Sequence, residues 1–161
     1  MGSHRHLHSF TLSNHTSNRL QMSEKTLREL FWAACKNGEE AKVNAAIVLG
    51  VDVNTKDTHS QTGLIWAILR KHENIVDILL AQPAIDINGK DNSGWFPLQV
   101  AAGLGLTSVV AKLGRMPALR GVNDQGYRGW TPLSWATDNG KDLLANYCWK
   151  NIGIFIVLVF R

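Results

Sequence analysis

Three imidazoles stand at alternate positions near the start of the chain, His4, His6 and His8, and such rings can take up a divalent cation. No carboxylate or cysteine beside them completes a fixed site, so no bound metal is expected. Cys35 and Cys148 form neither a metal nor a disulfide framework, which suits a reducing compartment. Cys35 falls at the end of a helical stretch, where a small packing residue is expected. His59 and His72 are isolated, one in a hairpin loop and one at a helix junction. Gly103-Leu104-Gly105 is a fragment of a glycine motif placed at a helix turn, and no glycine loop is joined to the Lys and Ser or Thr that cradle phosphate. A nucleophile elbow and a His-Glu metal helix are also missing. Hence no catalytic residue, metal ligand or cofactor is expected, and the chain reads as non-enzymatic.

What does recur is tryptophan. Trp32, Trp66 and Trp135 each follow a leucine by two residues, whereas Trp95 and Trp130 each lie between a turn glycine and a helix start. The first group is expected to pack between neighbouring units as core, because large aromatics act mainly through burial, and a ladder lining a recognition groove is the alternative. The second group can act as binding anchors or as staples between hairpins.

The elements that must carry these side chains are written most fully between Val122 and Gly140. Gly126 and Gly129 mark a hairpin loop, Thr131 can cap a helix, and Pro132 sits at its first position, where a missing N–H costs nothing. Leu133, Ala136 and Thr137 share one face, and Asn139-Gly140 ends the helix. The same order occurs from Asn88 to Leu113 and from Asn54 to Leu80, and a copy beginning inside the helix runs from Leu30 to Asn54. Leu30, Leu64, Leu98 and Leu133 thus recur at a step of about 34 residues, a period that marks a stacked array.

This pattern resembles the ankyrin repeat, with its Thr-Pro-Leu-His-x-Ala helix start, its glycine between paired helices and its Asp-Val-Asn hairpin. The resemblance covers about Leu27 to Gly140. It implies an all-α, ankyrin-type helix-turn-helix solenoid with hairpin loops and about four repeats. Several positions depart from the family: Gly63 stands where the proline belongs, Ser60 and Lys71 replace glycines, and Gly126 replaces the hairpin Asp. Phe31, Ile65, Gln99 and Ser134 occupy the family's histidine position, so that hydrogen-bonding residue is expected to be missing from every copy. The wording Gly-Trp-Thr-Pro-Leu-Ser-Trp-Ala is also similar to repeats of long fungal ankyrin proteins.

The resemblance implies protein–protein recognition on the concave face built from hairpin tips and inner helices. Carried over position by position, its contact residues are Lys56, Thr58, His59, Gln61, Leu69 and Arg70. The next repeat supplies Lys90, Asn92, Ser93, Trp95 and Leu104, and the last supplies Gln125, Tyr127, Arg128, Trp130, Asp138 and Asn139. Lys56, His59, Arg70, Lys90 and Arg128 bias this face positive, which suggests an acidic protein partner. A scaffold in the cytoplasm or nucleus, with no small-molecule substrate, is the expectation. Two alternatives are a self-associating assembly element and a nucleic-acid binder using basic hairpin tips; the net charge of +4 is spread along the chain and gives the second little support.

Residues 1–22, rich in Ser, Asn, Thr and His, read as a disordered arm, and 23–140 as the repeat domain. Ser23 is expected to cap its first helix, with Leu27, Leu30 and Phe31 at helical spacing. Two loops, Ala81 to Ala84 and Gly114 to Gly121, look like insertions, and Gly114 is expected to break its outer helix early and leave that repeat the softest. Residues 141–161 depart from the repeat pattern and end in an apolar run too short to span a bilayer. They read as a cover over the last repeat, or as translated intron, since Gly140-Lys141 can be encoded by GGT-AAG.

Overall fold

The computed structural model describes residues 23–126 and 129–140. The expectations for the arm at 1–22 and the segment 141–161, Cys148 included, fall outside these residues. Seven helices are described: α1 Glu24–Asn37, α2 Glu40–Val48, α3 Gly63–Leu69, α4 Glu73–Leu80, α5 Pro97–Leu104, α6 Thr107–Gly114 and α7 Pro132–Asp138. They pair as α1 with α2, α3 with α4 and α5 with α6, while the inner helices stack in the order α1, α3, α5, α7. A single antiparallel bridge between Lys56 and Thr62 is the sheet-like feature among the described residues.

Local chemistry starts and stops these helices. Ser23 accepts from the Thr26 amide, and Thr62 accepts from the Ile65 amide. Thr131 and Ser134 form a reciprocal capping box over Pro132, and Pro97 opens α5. Gly38 and Gly105 end α1 and α5 in the left-handed conformation. Lys71 takes the same backbone shape at φ 61°, and Ser60 does so in the hairpin at φ 58°. Both are residues that the family pattern gives as glycine, so each carries the strain of a Cβ in that region.

The repeat step is held by side chains that reach one unit along the stack. Asn54 Nδ2 donates to the Ala84 carbonyl at 2.7 Å while its Oδ1 accepts from the Asp86 amide at 2.7 Å. Asn88 repeats the pair with Ala118 and Arg120, at 2.9 and 2.8 Å. On the outer helices Ser108 donates to Glu73 at 2.6 Å, and Lys112 pairs with Asp77 at 2.6 Å. Beneath these contacts the core is continuous, from Phe31 and Cys35 through Leu64, Ile68 and Leu79 to Leu98, Leu113 and Ala136.

The first copy differs from the others at its helix start, and several expectations are corrected. Leu30 is 48% exposed, whereas the repeat-equivalent Leu64, Leu98 and Leu133 are buried; among the described residues Leu30 has no preceding unit to pack on. Thr137 is exposed rather than sharing the buried face of Leu133 and Ala136. Gly114 is the last residue of α6, which has the same eight residues as α4, so it does not shorten the helix.

The histidine position is not empty of hydrogen bonds in every copy. Ser134 completes its capping box, and Gln99 Nε2 donates to the Trp130 carbonyl of the next hairpin. The other two substitutions are apolar and buried, and Phe31 has a visible compensation. A Cβ on Gly63 would stand 2.8 Å from Phe31 Cε1, so the phenyl ring occupies room that a proline at 63 would need.

Candidate functional site

The three repeat-equivalent tryptophans are half-buried, with Trp32 and Trp66 packed against the edge of the core. Trp32 Nε1 donates to the Thr55 carbonyl at 3.1 Å. Trp66 Nε1 donates to Asp57 Oδ2 at 3.0 Å, and Lys36 Nζ sits 4.5 Å from the Trp66 ring centre, with Arg70 at 5.9 Å. Both indoles therefore pin hairpins, and Trp66 also carries cations on its face.

Trp135 behaves differently. Asp57 and Asp91 each fix their hairpin with one carboxylate oxygen that accepts two backbone amides, those of His59 and Gln61 and those of Ser93 and Trp95. Gly126 occupies the equivalent place in the last hairpin and has no carboxylate to offer; there the Gly126 amide donates to the Trp130 carbonyl at 2.8 Å. With no carboxylate there to bind its indole, Trp135 lies against α5, where a Cβ on Gly103 would collide with its Nε1 and Cδ1. Its ring stands 4.6 Å from that of Trp95, tilted by 58°, and 5.4 Å from Trp130, edge-on. Such tilted and T-shaped pairs match the quadrupoles of the rings.

A groove of about 380 Å³ lies beside this cluster. Its lining includes Gln61, Leu69, Ser93, Trp95, Leu104 and Asn139, six residues that the sequence placed on the contact surface. Ile65, Asp91, Val100, Gly103 and Trp135 complete it and were not in that set. The signal that could have found Val100 is periodic: it holds the place that tryptophan holds at 32, 66 and 135.

The remaining expected contact residues do not line the groove. Lys56 Nζ donates to the Lys90 carbonyl at 2.9 Å, and Lys90 pairs with Asp124 at 3.0 Å. Asn92 joins neighbouring hairpins by donating from its amides to the Thr58 and His59 carbonyls and accepting from Ser60. His59 is exposed with Thr58 beside it, Arg70 lies by Trp66, and Trp130 packs on Trp135. Gln125 and Asp138 are exposed, while Tyr127 and Arg128 fall outside the described residues.

No group of three or more His, Cys, Asp or Glu side chains is close enough to hold a metal among the described residues. His72 binds the Lys36 carbonyl through Nε2 at 3.2 Å and packs under Gly38, a role within the stack. Burial raises the Cys35 thiol to about 12, far from the range in which a thiolate forms at neutral pH. No described helix is long and apolar enough to cross a membrane.

Comparison with known proteins gives the same architecture. A family model described as ankyrin repeats (3 copies) matches residues 30–116. The SMC5-SMC6 complex localization factor protein 1 of Bos taurus is 33% identical over 96 residues, 59% of this chain and 9% of its own length. The protein of that name in Homo sapiens is also 33% identical over 96 residues. Alpha-latrotoxin-Lh1a of Latrodectus hasselti is 27% identical over 143 residues, 84% of this chain and 10% of the toxin. The chain spans about a tenth of the length of these curated relatives. Its matched span and its stacked helix pairs agree: the chain belongs to the ankyrin repeat family.

Proposed function

We propose that this protein is a non-catalytic recognition scaffold that binds a partner protein on its concave face, in the groove between Leu69, Leu104, Trp95 and Asn139. The observation that carries this reading is convergence. Residues from α3, α5, α7 and two hairpins meet in one groove with an apolar floor and a polar rim that includes the Asp91 carboxylate. Ankyrin repeats are protein-interaction modules, and a relative named for localising a protein complex shares the repeat segment. Large aromatic side chains with an apolar body and an N–H are frequent interface anchors. Cys35 as a buried thiol fits a reducing compartment, cytoplasm or nucleus.

The acidic partner suggested by basic residues receives less support, because Lys90 is paired with Asp124 and Lys56 is committed to a carbonyl. The same pairing weakens binding of nucleic acid through the hairpin tips. Selection of peptides from a displayed library on the full chain, followed by titration of a Leu69→Asp/Leu104→Asp variant, tests the reading. Both leucines are partly exposed, so the variant should keep its fold. Selected peptides should lose most of their affinity for it; unchanged affinity would place binding elsewhere.

A further inference from the structure

Val100 sits one repeat after Trp66 and one before Trp135. In the second repeat, Asp57 uses Oδ1 for two hairpin amides and Oδ2 for the Trp66 indole. Asp91 keeps the first arrangement, with Ser93 and Trp95 amides on Oδ1, but its Oδ2 accepts nothing among the described residues. Valine at 100 has no N–H to offer and fills less volume than indole. The groove opens here, lined by Val100, Asp91, Trp95 and Trp135. Among the described residues Asp91 is the charged residue of that lining, and no cation lines it.

We infer that this groove takes the side chain of an arginine in the partner polypeptide, with the guanidinium on Asp91 Oδ2 and beside the Trp95 and Trp135 indoles. The inference rests on the protein-binding reading and names the chemistry it recognises. A guanidinium is planar, weakly hydrated and supplies N–H donors beside an apolar stem, so it answers the carboxylate and the aromatic walls together. Trp66 already carries a cation pair of this kind within the chain, from Lys36 and Arg70. The groove, about 380 Å³, lies near the lower end of ligand-site volumes, a size for one or two side chains.

Indole N–H signals in NMR spectra of the full chain give the test. Matched ten-residue Gly-Ser peptides carry one central arginine, lysine, citrulline or tryptophan. The arginine peptide should shift the Trp95 and Trp135 indole signals and bind about tenfold or more tighter than the citrulline peptide, which keeps the shape and loses the charge. Asp91→Asn retains an acceptor for the hairpin amides and should erase that preference. Val100→Trp should fill the groove and abolish the shifts, with helical circular dichroism confirming that each variant is folded. Equal binding of arginine and citrulline, an unchanged preference in Asp91→Asn, or preference for the tryptophan peptide would overturn the inference. If library-selected peptides bind through Leu69 and Leu104 without favouring arginine, this inference falls alone. If none engages the groove, the protein-binding reading falls with it.

Discussion

The Gln99 side chain occupies the space where a Cβ on Gly126 would stand, 2.7 Å from its Nε2 and 2.9 Å from its Cδ. Two departures from the family pattern, one in a helix and one in the following hairpin, are therefore a single steric unit. Gln99 reaches across to the Trp130 carbonyl because Gly126 leaves it room, and its buried Oε1 has no partner among the described residues.

Gly126→Ala should accordingly destabilise the chain by about 1–3 kcal/mol, the usual range for an overfilled site. In a Gln99→Ala background the same change should cost well under half of that, since the obstructing amide is gone. Urea melts of the four proteins of this cycle measure the coupling. Additive effects would show that the two sites are independent.

Gly103→Ala acts on the aromatic cluster. The added methyl collides with the Trp135 indole, whose Cε2 would lie 2.9 Å away, so the ring must leave its place against α5. The Trp95–Trp135 pair should break, with a changed near-ultraviolet circular dichroism spectrum and little change in the helical signal. An unchanged aromatic spectrum would mean that Trp135 is not held by this contact.

Lys71→Gly should stabilise the fold by about 1 kcal/mol, because it holds a Cβ at positive φ; Ser60→Gly should gain less, because it also loses the hydroxyl that donates to Asn92. The gain is reduced by the greater freedom of glycine in the unfolded chain. A higher urea midpoint at constant slope is the expected result. No rise in either variant would show that the strain is relieved elsewhere.

Cys35 predicts a loss of stability at alkaline pH. Its folded pKa is raised by burial from 9.0 to about 12, so the folded state keeps its proton where the unfolded chain has released it. This contribution is fully present below pH 9 and declines between pH 9 and 12, by about 1.4 kcal/mol for each pH unit in that window. Cys35→Ala should flatten that decline in melts across the window, and alkylation of Cys35 should be no faster than opening of the stack. Rapid native alkylation would contradict the burial.

The sequence by itself determined the period, the helix starts at Ser23 and Thr131 and the helix turn at Gly105, and the family resemblance supplied six of the residues that line the groove. These are legible because capping and left-handed turns depend on the backbone within a turn or two, and because a stacked array repeats them in phase. Tertiary structure decided the exposure of Leu30, the pairings Phe31 with Gly63, Gln99 with Gly126 and Trp135 with Gly103, and the presence of Asp91 and Val100 in the groove. Each of these depends on how much volume one repeat presents to the next. A residue's own propensity carries no information about that distance, so the exchange of bulk between neighbouring repeats becomes visible when they are stacked.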